Sequence, residues 1–322
     1  MRFFAVGLMM FPFAVSANTL TLDDALRATY SACVGIDDEI SHLKTMAGIN
    51  TAVTAVGAAT GVGATATGFI KQRKDVEYAE IEKKLNNLIK EQESNNDETI
   101  TILTNREEYM AQLRKIAEQY EPANNQQISK DKLQENIEKL DELDKESKNL
   151  GNWRTGLLAA NTATNIAGAA IAGTNKVDKD LEAQIKSCVS AVSELRNVMM
   201  QARMDGVDIT EAQTIADACD DYEMVDVSKI NTRATGAMAS SIVGAATGVA
   251  GTVVSGVANS DKTRNDNTAA GKKQEKDLNA AANVLSIGAT AASTTATIFN
   301  ATQIAAIKKV ATVSEKCTGV LK

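Results

Sequence analysis

Hydrophobic and polar positions along this chain fall into two patterns. The first sets large apolar residues among charges. It runs through Tyr78, Ile81, Leu85 and Leu88, through Leu103, Met110, Leu113, Ala117 and Tyr120, and through Leu133, Ile137, Leu140, Leu143 and Leu150. Steps of three and four residues place each set on one face of a helix. The second pattern is an uncharged run of Ala, Gly, Thr and Val with few large side chains. It occurs at 49–70, 155–175, 234–259 and 278–307. Every element predicted is a helix. The expected fold class is all-α: long antiparallel helical hairpins in a tandem pseudo-repeat, with a protruding coiled-coil-like three-helix arm over 71–150.

Local signals mark the ends. Thr21-Leu22-Asp23-Asp24 reads as a capping box, a threonine cap with an acid three residues on. After Cys33 and Gly35, the residues Ile36, Ile40, Leu43 and Ala47 lead at helical spacing into the first small-residue run. Breaks are expected at 94–97 and at Pro122. A charged helix over 177–204 carries Leu181, Ile185, Cys188, Val192 and Leu195, and Asp205-Gly206 is a turn signal. A short helix from 209 to 219 follows.

The hexapeptide GAATGV occurs at 57–62 and again at 244–249, after Cys33 and Cys219 respectively, with spacings one residue apart. Ala163 and Ala167 precede Cys188 much as Ala292 and Ala296 precede Cys317. One supersecondary unit used twice accounts for this. The domains expected are a signal peptide at 1–17, a first hairpin unit at 18–195 that includes the arm, a connector at 196–214 and a second hairpin unit at 215–322. At 1.5 Å per residue, Cys33 and Cys188 lie about 39 and 35 Å along their helices from the shared small-residue level. Two thiols at similar height favour Cys33–Cys188 and, by the same count, Cys219–Cys317. A pairing across the two units stays open.

Gly57 and Gly61, like Gly244 and Gly248, are four residues apart, the spacing of a glycine zipper on which another backbone can pack closely. Each glycine costs about 1 kcal/mol of helix propensity, which close packing must offset. In water, four such helices would place Val, Ile and Ala inside and Thr and Asn outside. In a bilayer each run is long enough to span. That arrangement would leave all four cysteines on the exported side, with Lys71, Arg73, Lys74 and Arg154 flanking the inner face. Hydrophobicity is weak, however: 49–70 has six Ile, Val or Phe residues against five threonines, an asparagine and four glycines.

Composition narrows the function. Arg2, a short apolar run and Val15-Ser16-Ala17 read as a secretory signal cleaved after Ala17. Beyond it the chain has one proline, Pro122, and few aromatics: Trp153, Phe69, Phe299 and five tyrosines. Long helices tolerate that, and an aromatic-walled ligand pocket is not expected. With 34 basic and 41 acidic residues the net charge is −7, so no basic footprint for nucleic acid exists. The single histidine, His42, has no evident catalytic partner, and no Cys/His spacing suits a metal. Asp37-Asp38 and Asp220-Asp221 read as first-turn helix acids. No catalytic residue, cofactor, metal or small-molecule substrate is expected.

The reading is an exported, non-enzymatic helical protein of the bacterial cell envelope, in the periplasm or secreted. Its role is structural or interactive, with the 71–150 arm engaging a protein partner or a second copy. The alternative is a protein embedded in the inner membrane or inserting into a membrane in the manner of a pore former.

Overall fold

The computed structural model describes residues 21–93, 105–120 and 130–321. The expected signal peptide, Leu103 and the expected breaks at 94–97 and Pro122 lie outside these residues. The described residues are helical, with no strand among them beyond one isolated bridge, Asn105 to Asp266. In chain order the helices are α1 (Leu22–Cys33), α2 (Ile36–Glu93), α3 (Arg106–Gln119), α4 (Lys130–Thr174), α5 (Lys179–Met204), α6 (Thr210–Cys219), α7 (Ser228–Ala258), α8 (Asp261–Arg264) and α9 (Ala269–Leu321). A 3-10 turn, Asp220–Met224, follows α6.

Contacts divide the chain into two units. Met1–Ile40, Asp178–Val225 and Lys309–Lys322 make the first; Ser41–Val177 and Asp226–Lys308 make the second. The division cuts across the 18–195 and 215–322 units read from the sequence. It groups the cysteine-bearing ends together and the small-residue runs together.

The first unit has an ordinary apolar core. The Thr21–Asp24 capping box starts α1, which packs on α5 and buries Ala25 and Cys33. Gly35 turns the chain into α2 at a φ of +93°, a conformation that only glycine adopts freely. Buried Ile36 and Ile40, Leu181, Ile185, Val192 and Leu195, and Ala212, Ala216 and Tyr222 fill the interior. Asp178 caps α5 by accepting from the Leu181 N–H at 2.7 Å, and Gly206, φ +76°, follows its end.

In the second unit α2, α4, α7 and α9 gather around a common axis. Their buried positions alternate by four and three residues, as in Ile230, Ala234, Ala237, Ser241, Gly244, Gly248, Gly251, Ser255 and Ala258 of α7. That alternation is the heptad seam of helices crossing at shallow angles. Cross-helix pairs fix direction. Asn50 meets Asn300 and Thr65 meets Thr290, so α2 and α9 are antiparallel. A methyl group added at Gly251 or Gly244 would touch Leu158 or Asn165 respectively, so α4 and α7 are antiparallel as well.

The seam passes through positions 71 and 151 without a break, although composition changes sharply there. The helix at 71–93 is therefore the continuation of α2, and that from 130 is the first part of α4; α3 alone is a separate helix. Backbone hydrogen bonding is indifferent to whether a seam residue is glycine or leucine, so a change of side chains does not end a helix. Beyond position 71 the seam carries large residues. Tyr78, Ile81 and Leu85 of α2 join Tyr109, Met110 and Leu113 of α3 and Leu133, Ile137 and Leu140 of α4 in one apolar cluster. The Tyr109 hydroxyl donates to Asn86 Oδ1 at 2.8 Å, and Lys139 pairs with Glu77 at 2.7 Å.

Leu113 is 1% exposed at the centre of this cluster. Leu113→Ala should destabilise it by about 2–5 kcal/mol, the usual cost of such a cavity. Hydrogen exchange of the α3 amides checks this, with faster exchange expected there and none in α7.

Candidate functional site

The axis of the second unit is polar and narrow. At one level the Asn50 amide donates to Asn300 Oδ1 at 2.9 Å, and the Asn300 amide donates to Thr54 Oγ1 at 3.2 Å. At the next, Asn161 and Asn165 both donate to Ser293 Oγ, at 2.9 and 2.8 Å, and Asn161 also donates to the Gly57 carbonyl. Asn50, Asn161, Asn165, Asn300 and Gln303 are all buried. Burying an amide without a partner costs roughly 1–3 kcal/mol, so these groups pair mainly with one another across the bundle. Asn50 Oδ1, Asn165 Oδ1, Ser241 Oγ and Gln303 Oε1 stay buried without a partner among the described residues.

The glycines make this approach feasible. A Cβ at Gly57 would lie 2.7 Å from Thr164 Oγ1, at Gly61 2.7 Å from Thr290 Oγ1, and at Gly244 2.6 Å from Asn165 Oδ1; at Gly248 it would collide with Thr162. Three of these four singled-out glycines thus have a side chain of α4 between 162 and 165 as nearest neighbour. Gly61 meets α9 first and Asn161 of α4 at 3.0 Å.

The outer face is the reverse of the axis. Ile49, Val56, Val62, Phe69 and Ile70 of α2 are exposed. So are Trp153 (69%) and Ile166 of α4, Ile242, Val249 and Val253 (60%) of α7, and Val284 (68%) and Ile298 of α9. The expectation for a bundle in water, Val and Ile inside with Asn outside, is overturned. Gly, Ala and Ser hold most of the inward positions where the backbones lie this close, and apart from Leu158 and Ile307 the large aliphatic residues of the runs are not buried. The outward threonines return their hydroxyls to their own helix, as Thr60 does to the Val56 carbonyl at 3.0 Å and Thr295 to the Ala291 carbonyl at 2.9 Å. Two helical stretches among the described residues are long and apolar enough to cross a membrane, one within 22–88 and one at Ser228–Ala258, with mean hydropathies of 1.4 and 1.6 over their most apolar windows. Only 33% of the latter window is buried, whereas the core helix of a soluble protein is mostly buried.

Charges collect where the small-residue runs end. Arg154 is fully buried and donates to Ser255 at 2.9 Å, Asn279 at 2.9 Å and Asn283 at 3.1 Å, all neutral. Beyond it, three cations meet three carboxylates. Lys71 pairs with Asp75 at 2.7 Å and Glu275 at 3.7 Å. Arg106 pairs with Asp144 at 2.7 Å and Glu275 at 3.3 Å, and Arg264 with Asp144 at 2.5 Å and Glu275 at 3.7 Å. Ser147 donates to Asp75. Burial alone would lower the Arg106 guanidinium; the pull of Tyr78, Glu275 and Asp144 outweighs it and holds the group above its ordinary value. Arg106 also lies 4.7 Å over the Tyr78 ring. A cavity of about 470 Å³ opens beside this cluster, lined by Asp75, Tyr78, Arg106, Glu275 and Lys272 among others. Removing one partner of such a buried pair typically costs about 3–5 kcal/mol, so the cluster pins α2, α4 and α9 at one level.

In the first unit the structure joins Cys33 to Cys188 and Cys219 to Cys317. All four are buried, and the Sγ atoms of Cys33, Cys188 and Cys317 lie within 4.8 Å of one another. The sequence placed the cysteines at similar heights but held no sign that both pairs share one point. Asp220 and Asp221 serve as ion-pair partners of Arg196, at 2.5 Å, and Lys316, at 3.1 Å; the Arg196 hydrogen bond holds Asp220 below the usual carboxylate range. Asp37 and Asp38 lie in the first turn of α2, and His42 is exposed on the same helix. Sequence reading missed the axis amides and the Arg106–Asp144–Glu275–Arg264 cluster. The signal for the amides was available: Asn50, Asn161, Asn165, Asn279 and Asn300 all fall on the three–four seam.

No protein-family model matches the chain, and neither a curated protein nor a solved structure does.

Two glycines separate close packing from composition. Gly244→Ala would force its new methyl against Asn165 and should cost about 1–3 kcal/mol. Gly256, which has open space around its Cβ position, should tolerate alanine or gain up to about 1 kcal/mol from helix propensity. Thermal unfolding of the two variants should therefore shift in opposite directions.

Proposed function

We propose that this protein is an exported, membrane-embedded, non-enzymatic helical protein of the bacterial envelope. Its four small-residue runs are the spans, arranged as two disulfide-stapled antiparallel hairpins of a tandem repeat. The single observation that carries the reading is the inversion of the second unit, with amides and hydroxyls on the axis and Val, Ile, Phe and Trp on the outside. In lipid the exterior is the apolar solvent, and polar side chains turn inward to find partners. No charged residue occurs in 155–175, the shortest run, which extends about 31 Å at the helical rise and matches a hydrocarbon core of about 30 Å.

Chain order gives the topology. An export signal puts Cys33 on the outer side, and four spans return Cys188, Cys219 and Cys317 to it, where disulfides persist. The arm over 71–150 and the segment 261–277 then face the cytoplasm, with Arg73, Lys74, Lys148 and Lys262 near the boundary as the positive-inside preference requires. Trp153 takes the place of an interfacial aromatic. The repeat supplies both GAATGV hexapeptides as packing surfaces for α4, and the cytoplasmic arm is the module that engages a protein partner or a second copy.

Charge on the outer face distinguishes this reading from a soluble bundle. Val243 is exposed in the middle of α7, so Val243→Arg would be near neutral in water. In a bilayer it would cost about 2.5–3.5 kcal/mol. The wild-type protein should resist carbonate extraction from membranes, and Val243→Arg should lower the membrane-bound yield. Release of the wild type into the soluble fraction, with an unaltered Val243→Arg yield, would sink the proposal.

A further inference from the structure

The four cysteines of the first unit carry an inference that does not depend on where the protein resides. We propose that, when their disulfides are reduced, Cys33, Cys188, Cys219 and Cys317 form one four-thiolate site for a divalent metal ion of the zinc class.

The four cysteines converge from distant parts of the chain. The chain has four cysteines, and each comes from a different helix: α1, α5, α6 and α9. The pairs are 155 and 98 residues apart in sequence, so no short ligand motif announces them. Two disulfides need only that each pair meet. Here Cys33, Cys188 and Cys317 share one cluster with their Sγ atoms within 4.8 Å, and Cys219 is bonded to the last of these. A tetrahedral zinc site with bonds of about 2.3 Å has sulfur–sulfur edges of about 3.8 Å, so modest side-chain rotation suffices to reach it. The backbone positions are held by buried Ile36, Ile185 and Val192, which the disulfides do not supply. All four cysteines are at most 1% exposed, which excludes water and suits a closed, four-coordinate structural site.

Two buried hydroxyls lie close in sequence to these cysteines. Tyr222 and Ser314 stand three residues from Cys219 and Cys317. The two lie beside one another, and neither oxygen has a hydrogen-bond partner outside this pair among the described residues. Burial raises the Tyr222 phenol, so it remains a donor at neutral pH. Metal-bound thiolates carry excess negative charge and are tuned by donors in their surroundings.

The chemistry balances with a dithiol as reductant. Each protein disulfide accepts two electrons and two protons and opens to two thiols, while the dithiol closes to its own disulfide. Metal binding then forms four metal–sulfur bonds and releases the four thiol protons. In the reverse direction, reprotonation of the thiolates releases the metal, and two equivalents of the oxidised dithiol, each taking up two electrons and two protons, restore the two disulfides.

The test uses the full chain reduced with dithiothreitol, desalted without oxygen and titrated with Co²⁺. One equivalent should bind with thiolate-to-cobalt charge-transfer absorption and the visible bands of a tetrahedral ion, and equimolar Zn²⁺ should bleach both. Cys33→Ser and Cys317→Ser, drawn from different disulfides, should each weaken Co²⁺ binding at least tenfold. Two equivalents bound per chain, no charge-transfer band, or either variant binding as tightly as wild type would overturn the proposal. Helicity by circular dichroism covers the case in which reduction unfolds this unit. Recovery of helix on adding one equivalent of Zn²⁺ supports the site, and failure to recover overturns it.

Discussion

Close approach of four helix backbones is the constraint on which the second unit depends. Along the seam of α2, α4, α7 and α9 the inward residues of the small-residue runs are mostly Gly, Ala, Ser, Thr and Asn, with Leu158 and Ile307 the large apolar side chains among them. The helix propensity sacrificed at each glycine is offset by backbone contact and by amide hydrogen bonds such as Asn161 to the Gly57 carbonyl. Everything else in that unit follows from this geometry. Val and Ile, displaced from the interior, form the outer face, and Arg154 can reach three neutral partners on two other helices because the axis is so narrow.

Beyond position 71 the same seam carries charge and then large apolar residues. Glu275 of α9 lies between Lys71, Arg106 and Arg264, and Asp144 of α4 between Arg106 and Arg264. Such a network is a poor source of net stability, since desolvation of each ion opposes its attraction. Its value is positional: a shift of α2 along α9 by one turn would part the buried Lys71 ammonium from Glu275, leaving it only Asp75 of its own helix. The amides do the same at the other levels. A narrow core with few large side chains has little shape information of its own, and directional polar pairs restore a unique register.

Much of this was legible in the sequence. Helical spacing, the Thr21–Asp24 cap, the Asp205-Gly206 turn and the start of α6 each rest on interactions within a few residues. The unbroken course of α2 and α4 was harder to read, because the abrupt change at Lys71 resembles a boundary while the three–four seam passes through it. The charge cluster was not legible at all. Arg106, Asp144, Arg264 and Glu275 lie on four different helices, and their separations along the chain carry no period.

The sequence by itself determined that the chain is helical, where small residues replace large ones, and that the cysteines stand at matching heights. These are properties of single helices, fixed by period and rise. Which face of each small-residue helix turns inward was decided only by the tertiary structure. Glycine and alanine differ too little from one another in hydrophobicity to mark one side of a helix as the apolar one. The choice between burying Val and burying Asn therefore rests on how closely neighbouring backbones approach. The meeting of both cysteine pairs at one point has the same origin. Helix length sets the height of a thiol, and only packing around the axis sets its direction.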